Sequence, residues 1–313
     1  MRNQFLLLFL LIVFFGNAQT KKHSIFDSIK NTDQLNVVLK GFPKLQNIKI
    51  GDFKDVKISR DKNDNFLKLT DSFHLQPFYL ADFDNNGYTD VFLSQQKEGW
   101  NARVIMVYPN DSFNIVPIYR LNFSLLFVNI GNNLSQPSLQ CRRLEGFLNL
   151  NEAKNEMAKK IHFDTLIYKF GSFIEYNAHP DTSSFKQIEF SSNPTHRGSK
   201  AEMSINANKI ATKFVYKFVD NQDKPIHFTS NIPSETINEL EQLINYINIS
   251  KLKDAYINLS AMDASRIKLH IKTTGLDKTI NIYAEDGTFG LQLLQEKLYS
   301  IFSNAKWTEV TEK

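Results

Sequence analysis

A nine-residue acidic stretch, Asp82-Phe83-Asp84-Asn85-Asn86-Gly87-Tyr88-Thr89-Asp90, constrains the fold of this chain more than any other segment. Short apolar runs flank it, Tyr79-Leu80-Ala81 before and Val91-Phe92-Leu93 after, so the acids belong to a connection between two strands. Alternate residues of a tight loop turn inward together, which sets Asp82, Asp84 and Asn86 facing one point. Gly87 permits the sharp turn that brings the Tyr88 carbonyl round to the same side, and Asp90 closes the ring. Carboxylates gathered this way repel one another unless a cation lies among them. Calcium suits such a donor set, since it takes six to eight oxygens from carboxylates, amides, main-chain carbonyls and water. The competing reading of the same residues is a polar β-turn with no ion. An EF-hand is excluded, because the twelfth position is Leu93 rather than a bidentate glutamate and the flanks are strands.

The chain opens with Met1-Arg2-Asn3-Gln4, runs through eleven apolar residues from Phe5 to Phe15, and then offers Gly16-Asn17-Ala18. A basic start, an apolar centre and a small-residue exit form the secretory signal pattern. Residues 1–18 are therefore expected to be a signal peptide cut before Gln19, which sends the protein to the periplasm, the cell surface or the medium. A membrane anchor would need about twenty apolar residues, and no later stretch is long enough to span a bilayer. The remaining ~295 residues suffice for two domains of ordinary size. An apolar fraction of 42% and 26 phenylalanines support packed cores rather than disorder.

Removing Arg2 from 37 basic residues leaves 36 against 33 acidic ones, a net charge of +3. The charges are interspersed, which excludes nucleic acid as the expected partner. Lys21-Lys22 reads as a solvated tail. Cys141 is the single cysteine, so no internal disulfide forms, and a lone cysteine is expected to be a small buried core residue. An ion in the acidic loop would supply the missing staple.

Residues 24–42 carry a helical pattern, with Thr32 as a possible cap, Leu35, Val38 and Leu39 on one face, and Gly41-Phe42-Pro43 as the stop. Short strands follow at 66–69, 77–81, 91–94, 104–108 and 114–119, an exposed helix at 151–160, and a strand-turn-strand around Gly171 over 165–176. Ala178 to Ser184 has linker composition. Beyond it, strands are expected at 187–190, 203–206, 214–219, 267–271 and 279–283. One helix from Ser234 carries Ile237, Leu240, Ile244 and Ile247, and a final helix carries Leu291, Leu294, Leu298, Ile301 and Phe302. The expected fold class is α+β. A mainly-β calcium-loop domain occupies residues 24–177, a linker 178–184, and an α+β domain with an antiparallel sheet and two packing helices 185–313.

The acidic loop with its flanks, from Tyr79 to Leu93, resembles the calcium loops of the FG-GAP/VCBS repeat family found in β-propellers. Carried over by position, that resemblance makes Asp82, Asp84, Asn86, Tyr88 through its main chain, and Asp90 the expected Ca2+ ligands. It covers residues 76–120. Phe127 to Asn133 resembles a decayed copy, and a single intact copy implies a smaller β domain rather than a propeller. Residues 187–313 resemble a domain of unknown function that recurs in exported bacterial proteins. The resemblance rests on Phe185 to Phe190, Ala201 to Ile205, Lys251 to Tyr256, Met262-Asp263-Ala264 and Lys306-Trp307. That family often carries a cysteine-rich turn where this chain has Asn193 to Ser199, and it brings no known activity. Trp307 is expected to cap a core, and His196-Arg197 to sit in an exposed turn.

The seven histidines show no HExxH or paired zinc spacing, and neither a Gly-x-Ser-x-Gly elbow nor a phosphate loop is present. The expectation is a non-catalytic secreted or envelope protein, stabilised by calcium, that binds a glycan or another protein. The alternatives are an extracellular hydrolase acting on a polymer and a structural accessory of an envelope assembly. Carboxylate pairs for glycoside hydrolysis are defined by separation in space, so the hydrolase alternative stays open at this level.

Overall fold

A computed structural model describes residues 21–48, 50, 75–94, 102–118, 125–131, 133–144, 161–193, 200–219, 222–257, 264–283 and 287–311. The expected signal peptide, the strand at 66–69, the helix at 151–160 and the His196-Arg197 turn lie outside these residues. The described residues fall into two compact units. One lies within Met1–Tyr119 and Leu125–Arg143, the other within Arg120–Ser124 and Leu144–Lys313.

In the first unit, helix α1 (Thr32–Lys40) is capped one residue earlier than expected: Asn31, not Thr32, accepts from the Gln34 N–H at 2.9 Å. An Asn side chain in that place satisfies one of the otherwise orphaned first-turn amides. The helix buries Leu35 and Leu39 completely. These residues pack with Phe26, Leu45, Val91, Leu93, Ile105 and Val107. The strands facing them are β1 (Phe78–Ala81), β2 (Asp90–Leu93), β3 (Arg103–Tyr108) and β4 (Ser112–Pro117), ordered β1-β2-β3-β4 and antiparallel throughout. Truncating a side chain such as Leu39 to alanine at this interface would cost about 2–5 kcal/mol. Cys141 is buried, in line with its expected core role. It lies in β6 (Ser138–Leu144), which follows β5 (Leu125–Gly131).

The second unit contains the hairpin β7 (Ile161–Lys169) and β8 (Ser172–Glu175), turning through Phe170 and Gly171 at positive φ. An eight-stranded sheet follows, built from β9 (Phe185–Asn193), β10 (Ala201–Asn206), β11 (Ile210–Val219), β12 (Gln222–Asn231), β13 (Ala255–Ile257), β14 (Arg266–Thr273), β15 (Asp277–Tyr283) and β16 (Thr308–Glu309). Its strand order is β13-β15-β14-β9-β10-β11-β12-β16. Helices α2 (Ser234–Tyr246) and α3 (Phe289–Asn304) bury Ile237, Leu240, Ile244, Leu291, Leu294 and Leu298. One face of the sheet receives α3: Phe190 meets Tyr299 edge to face at 4.8 Å, and the Tyr299 hydroxyl donates to Ser192 at 2.7 Å. Ile267, Leu269 and Ile271 of β14 are buried, while the alternating Arg266 and Lys268 are exposed on the opposite face.

The α+β expectation is therefore corrected. The described chain is mostly β, with three sheets against three α-helices, and it is not a β domain followed by a separate α+β domain. Two physical reasons account for this. The hairpin β7–β8, expected in the first domain, is built into the unit that holds α2 and α3. Both Glu175 carboxylate oxygens accept from the opening amides of α3, Phe289 N at 2.5 Å and Gly290 N at 2.8 Å, where an anion is favoured. The large sheet is also mixed rather than antiparallel, because β13 pairs with β15 in parallel. Residues 178–184 lie in the second unit and are tied to α2 and its exit. Asp181 N donates to the Asn245 carbonyl at 3.0 Å, and Asn245 Nδ2 donates to the Ser183 carbonyl at 2.9 Å.

Candidate metal centre

The connection from β1 to β2 spans Asp82 to Thr89, and the register Ala81↔Asp90 brings its ends side by side. Within it Asn85 adopts φ 57° and Gly87 φ 92°. Only glycine takes the latter value without strain from a Cβ, so Gly87 fixes how tightly the loop closes.

Oxygens of Asp82, Asp84 and Asp90 lie within 4.8 Å of one another. Each carboxylate is oriented by donors. Asp82 accepts from Asn86 N at 3.0 Å and Gly87 N at 2.8 Å. Asp84 accepts from Asn86 N at 3.2 Å and from the Asn86 amide Nδ2 at 3.0 Å. Asp90, fully buried at the start of β2, accepts from Phe83 N at 2.9 Å and from Val107 N of β3 at 2.7 Å. Burial pushes the Asp90 carboxyl up to about 7 against the pull of those two amides, and the charges of Asp84 and Asp82 push the same way. Burial raises Asp84 too, with Asp82 adding to it. Backbone amides alone thus do not compensate the negative charge collected here.

Asn86 meets the acids through nitrogen. Its Oδ1 accepts from Tyr88 N at 2.7 Å, and its Nδ2 donates to the Val107 carbonyl at 2.7 Å as well as to Asp84. Those partners fix the amide's orientation. Of the five expected ligands, the structure gathers the three aspartates and sets Asn86 beside them as a donor. Tyr88 contributes its N–H to Asn86, and its ring lies 4.9 Å beneath the Lys22 ammonium.

The sequence reading missed an outer brace. Lys22, expected to lie in a solvated tail, donates from Nζ to the Asn86 carbonyl and from its backbone N to the Gly87 carbonyl, both at 2.8 Å. Ser24 Oγ donates to the Thr89 carbonyl at 2.9 Å, and Thr89 Oγ1 donates to Asp27 at 2.6 Å. Burial opposes ionisation of Asp27, yet the Ser24 amide, the Thr89 hydroxyl and Lys21 hold its pKa below the usual range. No local sequence signal marks these contacts, which join residues more than sixty positions apart.

Residues 198–302, within the second unit, match a family described as a domain of unknown function (DUF6438). No match to the calcium-loop repeat family accompanies residues 76–120. No curated protein and no solved structure matches the chain. Among the described residues no helix is long and apolar enough to cross a membrane.

Proposed function

We propose that the chain is an exported, non-catalytic binding protein whose first unit is stabilised by a calcium ion held at Asp82, Asp84 and Asp90, and whose partner is a glycan or another protein. The supporting observation is the convergence of three carboxylates within 4.8 Å, one of them wholly buried. Calcium–oxygen distances of 2.3–2.6 Å allow two ligands of one ion to stand up to about 5 Å apart, so the spacing fits. A divalent cation there would offset the charge that raises Asp90 and Asp84. Asn86 and the Tyr88 carbonyl would complete the shell on the FG-GAP/VCBS-like pattern after a local turn of the Asn86 amide. Export, to the periplasm, cell surface or medium, rests on the pattern of residues 1–18.

Calorimetric titration of the mature chain with Ca2+, followed by thermal melting with and without chelator, tests the reading. Saturable binding near one equivalent and a melt of the first unit that chelator lowers are expected, with Asp84→Ala abolishing both. Identical melts with and without chelator would remove the calcium part. Glycan and protein capture by the same chain tests the partner.

A further inference from the structure

The face of the eight-stranded sheet opposite α3 carries an ordered row of side chains. The registers Arg266↔Tyr283 and Arg266↔Asn193 place Tyr283, Arg266 and Asn193 on neighbouring strands β15, β14 and β9, and Lys200 immediately precedes Ala201, which opens β10 opposite Ser192. Tyr216 of β11 follows, its ring 5.0 Å from the Lys200 ammonium. The row reads aromatic, cation, amide, cation, aromatic across five strands, a span of ~19 Å at the ordinary strand spacing. Arg266, Asn193 and Lys200 are exposed and the two tyrosines half-buried. Lys268, exposed on the same face two residues along β14, adds a third cation. Among the described residues neither Arg266 nor Lys268 is paired with an acid. Lys200 is paired with Glu202, whose other oxygen accepts from the Tyr216 hydroxyl at 2.6 Å. The row beyond Lys268 is different: there His270 sits between Glu189 and Asp277, and Lys272 lies 3.7 Å from Asp277, so two cations meet two acids once the ring is protonated.

From this arrangement we infer that the row is a docking surface for an acidic polysaccharide, one bearing uronate carboxylates along an extended chain. The inference rests on the exported glycan- or protein-binding reading above and names the partner class. Charge complementarity carries it: three cations face one acid over these two rows, on a chain that is otherwise close to neutral. Geometry supports it. Arg266 and Lys200 are two strand spacings apart, ~9.6 Å, about two sugar rings, so alternate carboxylates of a chain laid across the strands would meet alternate cations. Arg266 can hold a carboxylate with two parallel N–H bonds. Asn193 and the tyrosine hydroxyls suit sugar hydroxyls. Ile257, in register with Tyr283 at the end of the row, and Phe214, in register with Glu202, are exposed apolar side chains beside the cations, so binding of an acidic protein in place of the polysaccharide would overturn the assignment. Nucleic acid needs denser positive charge than three side chains provide.

Affinity electrophoresis of the mature chain in gels containing polygalacturonate, with dextran as the neutral control, tests the surface. Retardation by polygalacturonate alone is expected, weakening as salt rises. Arg266→Ala and Lys268→Ala should each weaken it about tenfold, with unchanged melting temperatures because both side chains are exposed. No retardation, equal retardation by dextran, equal retention by single-stranded DNA, or variants that bind as the parent does would each overturn the inference. Release of reducing ends from the polymer would leave the surface standing and remove the non-catalytic reading. The calcium melt is a separate measurement, so the two proposals fail independently.

Discussion

The loop at Asp82, Asp84 and Asp90 and the group formed by Glu189, His270 and Asp277 collect acids by opposite means. In the first, like charges are drawn together by backbone amides and one of them is buried. In the second, an imidazole lies between two carboxylates from neighbouring strands, with Nδ1 to Glu189 at 3.1 Å and Nε2 to Asp277 at 2.6 Å. An ionised carboxylate only accepts, so this geometry favours the ring form in which both nitrogens donate and the ring is positively charged. Hydrogen bonds to Asp277 and then Glu189 raise the His270 pKa accordingly. Lys272, 3.7 Å from Asp277, supplies the second positive charge, so that group is balanced by its own side chains, while the loop has charge left over. That difference is the reason an ion is proposed for the loop and none for the sheet.

Asp90→Ala should break the contrast most severely. It orphans the buried amides of Phe83 and Val107, and urea unfolding of the first unit should show a loss of about 3 kcal/mol or more. Next in size is the pH response of ion-free protein. Asp90 titrates near 7 when folded and near 4 when unfolded, so the folded state holds the extra proton between those values. Stability should fall as pH rises from about 4 to 7, by a few kcal/mol in order of magnitude, and saturating Ca2+ should flatten that slope in melts taken at pH 5 and 8.

Glu175→Ala removes the acceptor of two α3 amides and should cost about 1–2 kcal/mol, confined to the second unit. The smallest effect belongs to His270. Its raised pKa gives stability that is whole below about 6.5 and lost as pH climbs through the folded value. NMR titration of the ring should show the elevated midpoint, and Glu189→Gln together with Asp277→Asn should bring it back toward the ordinary histidine value. A His270 midpoint already ordinary in the parent would erase the distinction between the two groups.

Much of the first unit was legible because its signals are local. The acid spacing, Gly87 and the apolar flanks lie within fifteen residues and define both the loop and strands β1 and β2. The faces of α2 and α3 were legible for the same reason. Strand β12 was not, because Gln222-Asp223-Lys224-Pro225 shows no apolar alternation. It is held instead by its long register with β11, and β16 covers it only at Phe228 and Thr229, so Pro225 sits where a missing N–H is tolerated. The short β13 and β16 exist only through partners distant in sequence. The orientation of the Asn86 amide depends on the Val107 carbonyl, twenty-one residues away on β3. The hydrogen bonds of Lys22 are more distant still.

Lys22 and Ser24 stitch the start of the described chain to the rim of the acidic loop. Whatever is fused ahead of residue 21 is therefore delivered to that rim. A polyhistidine tag placed there would hold nickel within a few residues of three carboxylates and could masquerade as occupancy. Affinity handles for metal measurements belong after Lys313.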